Sequence, residues 1–128
     1  GVVVRDKLGN ICCATSTGGL TNKIPGRIGD TPMCGNSSIS SNDICGISVS
    51  GRGEEIIKNN VASKIFFQMK YTNKSLSECI DNTIEDMPDN TCGIIGIDSK
   101  GAVYFNKNTK RMYVASGDSK NNTTISLY

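Results

Sequence analysis

The 128-residue sequence predicts an α+β fold, and three observations carry that prediction. Short β-branched runs cluster at both ends of the chain, two helical patterns lie together between them, and a long glycine- and proline-rich segment follows the first strand pair. Helices grouped between two sets of strands argue for helices packed on a sheet face, not for alternating βαβ units. With 37% hydrophobic residues the chain has enough apolar material for one core, so 1–128 reads as a single domain without repeats or linkers.

In order, "GVVVRD", "KLGN" and "ICCATS" read as strand, turn and strand, a hairpin. From Thr17 to Asn42 neither a helical nor a strand period is present, and Pro25, Gly26, Gly29, Pro32 and Gly35 mark a loop. A loop of that length in a compact domain is uncommon unless it is functional. "ICGISVSG" then reads as a buried strand ending at Gly51.

The stretch "GEEIIKNNVASKIFFQMKY" predicts one amphipathic helix, with Ile57, Val61, Ile65 and Met69 at four-residue spacing and acids in its first turn. Ile65, Phe66, Phe67 and Met69 are expected in the core. A second helix is signalled by Ser75 with Glu78 three residues later, a capping box, followed by the stripe Leu76, Cys79, Ile80, Ile84 and Met87. "CGIIGID", "GAVYFN" and "RMYVAS" are strand-like, with "SKG" as a hairpin turn, and the polar tail carries a weak last strand.

Composition narrows function. Fourteen basic and twelve acidic residues give a net charge of +2 without a basic stripe, so nucleic acid is not expected. No apolar run approaches the roughly 18 residues of a membrane span, and no charged-then-apolar leader opens the chain. Six cysteines without paired spacing, and no histidine, do not suggest zinc; reduced, packing cysteines are expected. Without histidine, any general base must come from elsewhere. The expected compartment is the cytoplasm, with lysosomal or secreted placement left open by Asn-X-Ser/Thr acceptors at Asn36, Asn73, Asn121 and Asn122.

Within the loop, hydroxyls and glycines surround one cation and one anion, Arg27 and Asp30. Three residues apart, they either hold a zwitterion by its two ends or simply pair with each other across a turn.

The segment "GNICCATSTGGLTNKIPGRIGDTP" resembles "GN-x-A-x-ATSTGG-x-x-NK-x-x-GR-x-GD-[ST]-P" of the plant-type asparaginase and isoaspartyl peptidase family, and "SNDICGISVSGRGEEIIK" continues the likeness, which reaches "TTIS" near the end. The resemblance implies the second-subunit half of an N-terminal nucleophile hydrolase, a four-layer αββα sandwich completed by a first subunit from the same precursor, commonly as an (αβ)₂ assembly. The nucleophile in that family is a threonine exposed by self-cleavage, whose own α-amine is the base and titrates near neutrality.

Residue by residue, the resemblance implies that Arg27 holds the substrate's α-carboxylate and Asp30 its α-ammonium. Thr17 would assist the nucleophile, Gly51 and Gly53 would line the pocket, and the Gly51 N–H would serve the oxyanion hole. Ser50 stands where the family commonly has an oxyanion-hole threonine, and "GNSSISS" replaces "GAG-x-YA". The family's second subunit begins "T-[VI]-G", and this sequence begins at the glycine. Arg52 either reaches the leaving-group side, favouring acidic groups there, or is solvated.

The implied activity is hydrolysis of L-asparagine and β-aspartyl dipeptides, with no cofactor or metal. The alternatives are a glycosylasparaginase-like amidohydrolase, or a non-catalytic relative that binds aspartate-like ligands. The threonine aspartase branch, which reads a protein loop, is disfavoured because its long insertions are absent.

Overall fold

A computed structural model describes residues 1–120 and 122–127; the acceptor Asn121 lies outside the described residues. The chain is α+β. Hairpin strands β1 (Val2–Arg5) and β2 (Ile11–Ala14) are followed by the long loop, then by β3 (Ser38–Ser40) and β4 (Cys45–Gly51). Helices α1 (Gly53–Asn59), α2 (Val61–Tyr71) and α3 (Leu76–Glu85) come next, and then β5 (Cys92–Asp98), β6 (Val103–Lys107), β7 (Tyr113–Gly117) and β8 (Thr123–Leu127). An antiparallel sheet of order β3-β4-β5-β6 is the centre, flanked by the two-stranded sheets β1-β2 and β7-β8.

Strand alternation divides the central sheet into two faces. In β4, Cys45, Ile47 and Val49 face the helices; their neighbours across the ladder include Gly96 opposite Ile47 and Ile94 opposite Val49. With Ile56, Val61, Ile65, Leu76, Cys79, Ile80 and Ile84 they form one buried core. The other face presents Gly46, Ser48 and Ser50, and the hairpin covers part of it: Ile11 and Val3 sit over Gly46. The β1–β2 hairpin, the β5–β6 hairpin through "SKG", the second helix and its capping box all match the sequence reading, as does the whole stripe from Leu76 to Met87, each member of which is buried.

Three features differ. The expected single helix over 53–71 is two, because Asn60 adopts a left-handed conformation (φ 47°, ψ 48°), closing α1 and opening α2. Asparagine tolerates that region better than most residues, and the break re-aims the chain so that Ile56, not Ile57, is fully buried. The long loop also contains β3, whose three residues are too few to show a period; pairing with β4 (Ile39 opposite Ile47) forms it. Finally, Phe67 is 46% exposed, set edge-on to Phe66 and stacked on Tyr71 at 5.9 Å, because it lies about 200° around α2 from Ile65.

Helix α3 is tied to the sheet by polar bonds as well as by the core. Tyr104 Oη donates to Asp81 at 2.8 Å and Asn106 Nδ2 at 2.7 Å, both from β6. The six cysteines are unpaired thiols. Burial pushes the Cys45 thiol up to about 12 and Cys92 to about 11, which makes them packing groups and not nucleophiles. Among the described residues no helix is long and apolar enough to cross a membrane.

Candidate active site

The loop is held by its backbone. Ile24-Pro25-Gly26-Arg27 closes a turn, with the Arg27 N–H donating to the Ile24 carbonyl at 3.0 Å and Gly26 at φ 90°. Proline at the second and glycine at the third position is the pattern of a type II turn. The Thr31 carbonyl accepts from Thr15 Oγ1 (3.1 Å) and from Ser37 Oγ (3.3 Å), pinning the far end of the loop to the end of β2 and the approach to β3. Arg27 and Asp30 thus sit on a braced segment.

The two do not pair with each other. Arg27 turns to the first turn of α1, where Glu54 Oε1 accepts from Nε at 2.9 Å and lies 2.9 Å from Nη2 as an ion pair. Asp30 is 8% exposed. Burial pushes its carboxyl above the ordinary range; its own N–H and the Arg27 charge pull down, and the Glu54 charge pushes up further.

Gly53 explains how both groups reach one place. A Cβ on Gly53 would lie 2.8 Å from Asp30 Oδ1 and 2.9 Å from Arg27 Nη2. The absent side chain lets a guanidinium and a buried carboxylate converge on the glycine as the two walls of a narrow wedge, too tight in this conformation to admit even a Cβ. Two residues back, Gly51 ends β4 opposite Cys92, and a Cβ there would run into the Thr91 carbonyl and come within 2.7 Å of the Cys92 Cα. The Thr91 carbonyl also accepts from the Arg52 N–H at 2.8 Å, so the crossing from β4 into α1 is backbone packed on backbone. Arg52 itself is exposed.

On the opposite side of Gly51 a groove of about 650 Å³ opens along the sheet face, lined by Gly1, Ser48, Ser50, Gly51, Gly93 and Met112 among others. Ser50 lies opposite Gly93 in the ladder, and Met112 covers Gly93. The structure therefore brings Arg27, Asp30 and Gly53 together, with Ser50 and Gly51 next along the chain. Thr17 joins neither group: it is exposed, and its hydroxyl accepts from the Gly19 N–H at 3.0 Å. Glu54 is the member that sequence reasoning missed. Its signal was the acid after Gly53 in "GRGEE", already accounted for as a first-turn helix acid.

Arg27, Asp30 and Gly53 thus meet next to a groove lined by Ser50 and Gly51, on an α+β frame. Comparison with known proteins gives the family. The Asparaginase family model matches residues 1–127, and the chain belongs to that family of N-terminal nucleophile hydrolases. It is 37% identical to an isoaspartyl peptidase of Salmonella typhimurium and 38% identical to an isoaspartyl peptidase of Escherichia coli, in each case over all of this chain and 42% and 41% of the relative. An isoaspartyl peptidase/L-asparaginase of Bos taurus is 42% identical over 76% of this chain and 31% of its own length. The chain spans about two fifths of the length of the two bacterial relatives.

Proposed function

We propose that residues 1–128 act as a single unit, the second-subunit half of an amidohydrolase that cleaves L-asparagine and β-aspartyl dipeptides. The observation that carries the reading is the wedge at Gly53, where Arg27 and the buried Asp30 meet without pairing. A planar guanidinium suits an α-carboxylate through parallel hydrogen bonds, and a buried carboxylate suits an α-ammonium. The names of the relatives favour the same substrates over glycosylated asparagine.

The chemistry follows from that grip. With the head group held, the side-chain carbonyl points along β4 toward Ser50 and Gly51. A threonine hydroxyl, supplied by the residues that precede Gly1 in the family pattern, attacks that carbonyl while its α-amine takes the proton. The oxyanion accepts from the Ser50 hydroxyl and the Gly51 N–H, donors worth about 10² to 10³ in rate each. The Thr17 hydroxyl turns from its Gly19 contact to support the nucleophile. Collapse expels ammonia or the leaving amino acid with the transferred proton, and water then cleaves the acyl-threonine ester to release aspartate. The partner is a first subunit from the same precursor, in an (αβ)₂ assembly, and the compartment is the cytoplasm, in keeping with six free thiols.

Two measurements on the protein expressed from its full gene test this. Intact mass and N-terminal sequencing should give two fragments, the second starting at a threonine before Gly1; one uncut chain overturns the catalytic reading. Arg27→Ala should lower kcat/KM on L-asparagine by on the order of 10², chiefly through KM. An unchanged KM would mean that Arg27 does not hold the head group.

A further inference from the structure

From the ion pair at the wedge we infer that Glu54 is a positioning residue for Arg27, fixing which edge of the guanidinium meets the ligand. This rests on the proposed role of Arg27 as the carboxylate anchor. A guanidinium offers a side-on edge, Nε with Nη2, and an end-on edge, Nη1 with Nη2. Glu54 takes the side-on edge with a single oxygen, at 2.9 Å from each nitrogen. Glu54 leaves the end-on edge untaken, with Nη2 packed beside Gly53 and Nη1 against Gly29, and in the proposed complex that edge meets the ligand's carboxylate once the wedge opens by a small side-chain shift.

Three further observations fit holding and not mere surface pairing. The Arg27 side chain is 18% exposed, whereas the Glu54 side chain is 59% exposed, so the acid reaches in from the rim to a half-buried base. Glu54 is one residue from Gly53, whose backbone forms the floor of the wedge, so floor and brace move together. Hydrogen bonds from its own backbone amide and from Arg27 hold the Glu54 carboxyl below its ordinary range, which keeps it an acceptor throughout the neutral range.

The consequence is divided labour between two carboxylates. Asp30 is buried and faces the ammonium position; Glu54 is exposed and orients the guanidinium. Without Glu54, Arg27 keeps its charge and loses its fixed plane, so parallel hydrogen bonds to the ligand form less often. The opposite arrangement, in which Glu54 competes with the ligand for Arg27, predicts the reverse sign.

The test is steady-state kinetics of L-asparagine hydrolysis by the complete enzyme carrying Glu54→Ala or Glu54→Gln, with wild type and Arg27→Ala as references. Glutamine keeps an acceptor oxygen for Nε and Nη2 without the charge. Glu54→Ala should raise KM about tenfold, corresponding to roughly 1.4 kcal/mol, with a smaller fall in kcat, and Glu54→Gln should recover KM to within about threefold of wild type. A lowered KM in Glu54→Ala, or no change, overturns the inference. Equal KM values for Arg27→Ala and wild type would instead mark failure of the head-group reading on which it rests.

Discussion

At the scale of single residues, Asp30, proposed above to hold the substrate's ammonium, is buried at a cost to the fold. Burial raises its carboxyl above the ordinary value of 3.8, so the folded state favours the protonated form more than the unfolded state does. Its stabilising contribution is present below 3.8 and is lost as pH rises through the raised value. Asp30→Asn is isosteric and cannot ionise. In the complete enzyme without ligand, the variant should therefore melt higher than wild type at neutral pH, and the gap should close as pH falls below 3.8. Thermal melts of both proteins across pH measure this, and a gap independent of pH would contradict the burial argument. The variant should also lose its affinity for L-aspartate. Arg27 and Asp30 stood out in the sequence as one cation and one anion in an aperiodic loop, whereas Ser50, Gly51 and Gly53 were singled out only through the family resemblance. Glu54 was not, since an acid in the first turn of a helix is accounted for by the helix alone.

At the scale of elements, local chemistry was readable wherever the bond that forms is local. Helix α3 begins at Ser75, whose Oγ accepts from the Glu78 N–H at 3.3 Å while Glu78 Oε2 accepts from the Ser75 N–H at 2.7 Å. Ser75→Ala should destabilise the protein by about 1 kcal/mol, read as a shift of the urea midpoint at constant slope. A shift below about 0.3 kcal/mol would mean the core alone sets the helix start. The break at Asn60 was not readable. Asparagine is admissible inside a helix and admissible in the left-handed region, and the choice falls to packing: the Gly35 and Asn36 carbonyls accept from the N–H groups of Ser63 and Ala62, capping α2 from the distant loop. Strand β3 has the same kind of cause, existing because β4 offers it a ladder.

At the scale of the whole molecule, the flanking hairpins and the groove between them present exposed apolar side chains. Val2, Val4 and Val103 are more than half exposed, as are Tyr113 and Ile125 at the outer hairpin, and a groove runs between the two flanking hairpins along Ile95 and Ile97. Surface of that kind marks an interface, and the first subunit of the proposed assembly would cover it. Expressed alone, this chain should bind the dye ANS and elute as aggregates; produced from its full gene, it should not. Low dye binding and a monodisperse lone chain would count against the two-subunit reading. The division between what sequence and fold each decide follows from range. Hairpins, the capped helix, the core stripe and the family pattern depend on residues a few positions apart, where turn chemistry and periodicity act, and the sequence by itself determined them. Only the tertiary structure decided that Arg27 pairs with Glu54 and not with Asp30. That choice depends on where α1 begins relative to a loop twenty-odd residues earlier, which is settled by the packing of Gly51 against Thr91 and Cys92 and of Gly53 against the wedge.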